Sequence, residues 1–210
     1  MESYVISNLE ARAEIATAIG QSLDELVRER MAGLVEEPDI TSRIGQRLED
    51  RFDGRRLGGY HVRVISETIP SHGGRSLEKP TGTDLYFALS VEDQDGVQSS
   101  KGVLVQAKRR DRLKWPDLVK QCRRMRMITK KGSVAWIYGK SGVDVVKSQH
   151  VLNMNSAVLS MKEFFDRLLE CEIGDQRKVP NGPFGDRSEL KAMLETLGAR
   201  SAFWLKLEER

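Results

Sequence analysis

Two runs, Gly82-Thr83-Asp84-Leu85-Tyr86-Phe87-Ala88-Leu89 and Gly102-Val103-Leu104-Val105-Gln106-Ala107-Lys108, decide how the rest of the chain is read. Both are apolar, rich in residues that favour extended backbone, and opened by glycine. Between them Glu92-Asp93-Gln94-Asp95-Gly96 reads as a polar turn, since it lacks the glycine and downstream glutamate spacing of a calcium loop. The first strand carries Asp84 just inside its start. The second ends on Gln-x-Lys, where alternation puts Gln106 and Lys108 on one face and Ala107 on the other.

If the two strands pair, the Asp84 carboxylate and the Gln106 amide oxygen converge on one hard cation, and the Ala107 carbonyl adds a third oxygen. Mg²⁺ suits such a set, because it takes few protein oxygens and keeps water and substrate phosphate as its other ligands. Lys108 is then placed to hold or help deprotonate an attacking water and to offset charge on a phosphorus centre. A further carboxylate, Glu49, is expected from the preceding helix, where Ile40, Ile44, Leu48 and Phe52 form a stripe at four-residue steps and Glu49 lies on its border.

That helix is expected to begin after Pro38 with Asp39 as its cap. Residues 4–35 read as one or two helices that serve packing or oligomerisation. Tyr60–Ile69 is an alternating strand, expected to form an antiparallel meander with the two runs above, and Ser71–Pro80 is a loop containing His72, which reads as a surface residue. From Asp111 or Pro116 to about Thr129 a helix is expected, then an inner strand Ser133–Tyr138 and a shorter one at Val143–Val146. A helix at Ser160–Cys171, a loop at 174–187, a helix at Glu189–Leu197 and a closing strand at Ala202–Leu207 complete the chain. This order predicts an α/β (α+β) fold with a mixed central sheet flanked by helices. The expected organisation is an N-terminal helical segment (1–37), a core (38–150) and a C-terminal helical extension on that core (151–210).

The chain has 210 residues with a net charge of +3, enough for one good-sized domain. The charge is unevenly spread. Lys108–Lys131 holds eleven basic and two acidic residues, +9 in 24 residues, which leaves the remainder near −6. Such a segment is the footprint of a phosphate-backbone binder, with Arg109, Arg110, Arg112, Lys114, Lys120, Arg123 and Arg124 as its candidate contacts. No run is apolar for the roughly 18–20 residues a membrane span needs, and no signal-peptide pattern opens the chain, so a cytoplasmic location without a membrane partner is expected. Cys122 and Cys171 fit no metal or redox spacing and read as free thiols. Gly-rich phosphate loops, G-x-S-x-G and H-E-x-x-H are absent, and His61, His72 and His150 are scattered.

Taken together, Gly45-x-x-Leu48-Glu49 on a helix, Gly82-Thr83-Asp84 at a strand start and Gln106-Ala107-Lys108 ending the next strand resemble the PD-(D/E)XK, or restriction-endonuclease-like, nuclease superfamily. The Gln-x-Lys variant is similar to Mrr-like and anti-phage effector nucleases. The resemblance covers roughly residues 39–147. It implies a restriction-endonuclease-like core and a Mg²⁺-dependent endonuclease, with Mn²⁺ as an alternative ion. Glu49, Asp84 and Gln106 would be metal ligands, Lys108 the catalytic base or electrostatic stabiliser, and Gln121 a residue near the substrate. Gln106 departs from the commoner acidic residue at its position, which shifts the burden of holding metal to Asp84 and Glu49. The implied substrate is DNA, with RNA as an alternative. The implied setting is bacterial restriction or anti-phage defence, with a homo-oligomer and other subunits of such a system as partners. The competing expectation is a catalytically silent nucleic-acid-binding or assembly module built on the same fold.

Overall fold

The computed structural model describes residues 6–33, 36–69, 81–152 and 157–209. His72 and the loop around it lie outside the described residues. The elements are α1 (Leu9–Met31), α2 (Glu37–Phe52), β1 (Arg56–Leu57), β2 (Tyr60–Thr68), β3 (Leu85–Glu92), β4 (Gln98–Arg109), α3 (Trp115–Ile128), β5 (Ser133–Gly139), β6 (Gly142–Lys147), α4 (Ser148–Leu152), β7 (Val158–Leu159), α5 (Met161–Leu169), α6 (Arg187–Leu197) and β8 (Ser201–Glu209). A single turn of 3₁₀ helix, Arg110–Arg112, follows β4.

Local chemistry sets the helix starts. Asn8 Oδ1 accepts from the Glu10 and Ala11 amides at 3.0 and 3.1 Å, satisfying donors that the first turn of α1 leaves open. Ser160 and Glu163 form a reciprocal capping box at α5. The start of α2 differs from expectation: its cap is Glu36, three residues before Asp39. Pro38 lies inside the first turn, where its fixed φ suits a helix and its missing N–H would have had no partner. A proline that reads as a break is part of the helix.

The strands form one eight-stranded mixed sheet in the order β1-β2-β8-β3-β4-β5-β6-β7. Period-two alternation splits its side chains between two faces. Leu85, Phe87, Val103, Val105, Trp136, Phe203 and Leu205 face a core shared with α1, α2 and α5. Tyr86, Ala88, Leu104, Ala135, Ile137 and Trp204 belong to a second core with α3, α4 and α6. Strand β5 is buried along its whole length, as an inner strand covered on both faces must be. The helix α2 lies so close to the sheet that a Cβ on Gly45 would stand 2.7 Å from Ser66 Cβ, so only glycine fits there.

The expected meander does not form. β3 and β4 are an antiparallel pair with Leu85 opposite Val105, but β2 is not their neighbour. β8 lies between, antiparallel to β2 and parallel to β3. The last strand is therefore an interior strand, third of the eight, rather than an extension on the surface of the sheet. Likewise, one continuous core runs from Ile6 in the N-terminal segment to Leu207, so the expected boundaries at 37 and 150 do not mark separate cores. Among the described residues, no helix is long and apolar enough to cross a membrane.

Candidate functional site

The β3–β4 register does most of the positioning. The register ends with Leu85 opposite Val105, and just past that pair the Asp84 and Gln106 side chains meet. Asp84 is 7% exposed and Gln106 fully buried. The Asp84 amide donates to the Val105 carbonyl at 2.8 Å, and this is the last rung of the ladder.

Beyond that rung β4 runs on, paired with β5 on one side only. Its amides on the other side would lack partners, which in a buried setting costs about 1–3 kcal/mol apiece. Two carboxylates take the place of a strand. Asp84 Oδ2 accepts from the Ala107 amide at 2.9 Å, and Glu37 Oε2 accepts from the Arg109 amide at 2.8 Å. Glu37 Oε1 also pairs with Lys108 Nζ at 3.2 Å, both side chains being about one-fifth exposed. The first turn of α2 is a favourable place for this anion, since the helix macrodipole presents its positive end there.

Gln106 links the set. Its Nε2 donates to Asp84 Oδ2 and, at 3.0 Å, to the Ala107 carbonyl. Two oxygens thus face one point that holds a hydrogen-bond donor. Its own Oε1 is buried without a partner among the described residues. Turning the amide over would exchange the donor for this oxygen and direct three oxygens, from Asp84, Ala107 and Gln106, at the same place. A buried amide with an orphaned oxygen beside a carboxylate and a carbonyl fits a hard cation. Next to it, Glu37, Pro38, Thr41, Asp84, Arg200 and Ser201 line a cavity of about 20 Å³, room for a single water-sized occupant. Among the described residues no three His, Cys, Asp or Glu side chains are grouped to hold a metal. An ion here would rest on Asp84 and Glu37, neutral oxygens, water and substrate.

Glu49 does not join this group. At the far end of α2, its Oε2 accepts from the Ser66 amide at 3.0 Å and from the Ser66 hydroxyl at 2.5 Å, and its Oε1 pairs with Arg187 at 2.6 Å. Twelve residues separate it from Glu37, about 18 Å along a helix. The expected assignment of Glu49 is thus corrected by geometry: the α2 carboxylate at Asp84 and Lys108 is Glu37. The signal that would have found it is Pro38, whose place in a first turn starts the helix early enough to include Glu37.

A cavity of about 370 Å³ opens beside the site, lined by Glu37, Lys108, Arg112, Lys114, Asp117, Lys120, Gln121 and Arg124. Five of the eight expected nucleic-acid contacts thus share one hollow with Lys108: Arg112, Lys114, Lys120, Gln121 and Arg124. The other three point elsewhere. Arg109 is buried, its guanidinium held by Asp111 at 2.7 Å. Arg110 pairs with Asp144 on β6. Arg123 is exposed on α3 outside the hollow. Arg112 pairs with Glu36 at 2.5 Å, and its guanidinium holds that carboxyl below the usual range. Trp115 is partly buried against the α3 core, and Trp136 and Trp204 are fully interior.

No protein-family model, curated protein or solved structure matches the chain.

Proposed function

We propose that the chain is a metal-dependent nuclease of the restriction-endonuclease-like type, cutting phosphodiester bonds in DNA. The observation that carries this reading is the convergence of Asp84 Oδ2 and the Ala107 carbonyl on the Gln106 side chain, at the edge of a basic hollow that contains Lys108. Asp84, Gln106 and Glu37 are the residues that would hold Mg²⁺ or Mn²⁺. When bound, such an ion supplies Lewis-acid polarisation of a phosphoryl oxygen and a more acidic water.

The chain's own residues do the rest. Arg112, Lys114, Lys120 and Arg124 bind phosphates on either side of the scissile one and fix the register of the backbone. Lys108 stands where the hollow meets the carboxylates. With Glu37 as a ligand of such an ion, the Lys108 ammonium would be free to orient the attacking water and to stabilise charge on the phosphorus. Because Gln106 is neutral, Asp84 and Glu37 would be the anionic groups holding such an ion, a set that suits one ion rather than two. A role in restriction or anti-phage defence, assembly with further copies and activation by partner subunits belong to the same proposal and follow from the resemblance alone.

A second reading has an observation of its own. Both carboxylates are engaged, Asp84 by Ala107 and Gln106, Glu37 by Lys108 and Arg109, which is also what a silent binding or assembly module would show. One assay separates the two. Supercoiled plasmid and linear duplex are incubated with protein and Mg²⁺ or Mn²⁺, beside Lys108→Ala. The nuclease reading expects metal-dependent cleavage that falls at least about 100-fold in the variant. Binding without cleavage under either ion supports the silent module. Equal cleavage by Lys108→Ala removes the lysine from the mechanism.

A further inference from the structure

At the other end of β4, seven residues before Lys108 and about 23 Å away along an extended strand, a second reactive pair is assembled. Lys101 is only 7% exposed. Its Nζ donates to the Leu168 carbonyl, in the last turn of α5, and lies 3.0 Å from Cys171 Sγ. The backbone turns sharply beside this contact. Cys171 follows the end of α5 with φ 64°, the one non-glycine residue in the left-handed region among those described. Gly174, at φ 117°, lets the next turn close over the lysine stem, for a Cβ there would stand 2.7 Å from Lys101 Cδ. A cavity of about 470 Å³, lined by Lys101, Lys130, Cys171, Asp175 and Arg177 among others, gives small solutes access to the sulfur.

The two thiols of the chain differ in kind. Cys122 is fully buried against Ser148, and burial pushes its thiol up to about 11, which makes it inert. Cys171 is half-buried on the cavity wall with an amine in contact. Burial also lowers the Lys101 ammonium's hold on its proton, bringing the neutral, nucleophilic form of the amine nearer.

We propose that Lys101 and Cys171 are an oxidative modification site, at which a peroxide drives a covalent sulfur–nitrogen link between the two side chains. In the first step the Cys171 thiolate attacks one peroxide oxygen, the O–O bond breaks, and hydroxide leaves with a proton to follow, giving the sulfenic acid. In the second the lone pair of neutral Lys101 Nζ attacks the sulfur, the S–O bond breaks, and water leaves with one amine proton. Sulfur loses two electrons and the peroxide gains them. The chemistry is that of sulfenamide formation, with a side-chain amine in place of a backbone nitrogen. The link ties β4 to the end of α5.

The plain alternative is that Lys101 only caps the carbonyls at the end of α5, as basic side chains do. Full-length protein treated with hydrogen peroxide distinguishes them by intact mass and peptide mapping. The expected result is a loss of about 2 Da, a Lys101–Cys171 cross-linked peptide, and return of the original mass with a thiol reductant. Lys101→Arg, which keeps a capping cation, and Cys171→Ser should both lack the loss, whereas Cys122→Ala should retain it. Gains in steps of about 16 Da with no cross-linked peptide would overturn the proposal. So would disappearance of the loss in Cys122→Ala, which would mark a disulfide, or its persistence in Lys101→Arg. If Lys101→Arg does not fold, the wild-type peptide map and the Cys171→Ser arm decide.

Discussion

Glu37 and Glu49 share a helix and a chemistry, yet their surroundings assign them opposite work. Glu37 stands between the Arg109 amide and the Lys108 ammonium. Glu49 is taken up by Ser66 and Arg187, which makes it a clamp between α2, β2 and α6. Exchanging either for glutamine keeps size and most hydrogen bonding while removing charge. On the nuclease reading, Glu37→Gln is expected to lower metal-dependent cleavage by about 10- to 100-fold, through a lost ligand and a misplaced Lys108. Glu49→Gln should leave cleavage within about twofold and cost stability of the order of 1 kcal/mol, from its hydrogen bonds to Ser66. Initial cleavage rates and thermal melts of both variants check this. The reverse pattern would return the metal to the far end of the helix.

Elements succeed or fail by their ends. Alternation alone places Gln106 with Lys108, and the short β3–β4 connection fixes the register that brings Asp84 beside Gln106, so this half of the candidate site was legible in the sequence. Glu37 was not, because Pro38 serves equally as a helix breaker or as a first-turn residue, and only the folded backbone decides. The segment after α5 makes the same point. It is clipped to β4 by a two-way bridge, with the Gly102 amide donating to the Asp175 carbonyl and the Asp175 amide to the Gly102 carbonyl, both at 3.0 Å. The Asp175 side chain accepts from Arg177 at 2.7 Å, and that guanidinium, first among its partners, holds the carboxyl well below its ordinary 3.8. A depressed carboxyl contributes stability that is complete above its unfolded pKa and is lost as pH falls through the lower folded value. The difference in Tm between wild type and Asp175→Asn should therefore be constant from neutral pH down to about 5 and shrink below about 4. Because Arg177 is largely exposed, solvent screening keeps the full difference small. A gap that widens on acidification would show that Asp175 is not the group responsible.

At the scale of the whole molecule the decisive fact is where the chain's last strand goes. Consecutive strands are neighbours about two-thirds of the time, and on that basis β2, β3 and β4 read as a meander. No local feature of Ser201–Glu209 says that it will enter between β2 and β3, because that choice is made by the two cores the strand completes. Phe203, Leu205 and Leu207 fill the α1–α2–α5 side, and Trp204 fills the other, its Nε1 donating to Ser90 at 2.9 Å. The start of β8 is also tied to the candidate site, since the Arg200 amide just before it donates to the Asp84 carbonyl at 3.3 Å. Fully burying one large apolar side chain contributes about 1.5–3 kcal/mol. Four of them come to about 6–12 kcal/mol, as much as the whole net stability of an ordinary domain at about 5–15 kcal/mol. Truncation after Leu197 should thus abolish cooperative unfolding, and not merely trim the surface. Circular dichroism melts of the truncated chain, with and without a synthetic peptide of residues 198–210, test this. A truncated chain that melts cooperatively on its own would show that the sheet closes without this interior strand. Recovery of a transition only with the peptide is the result that the topology expects.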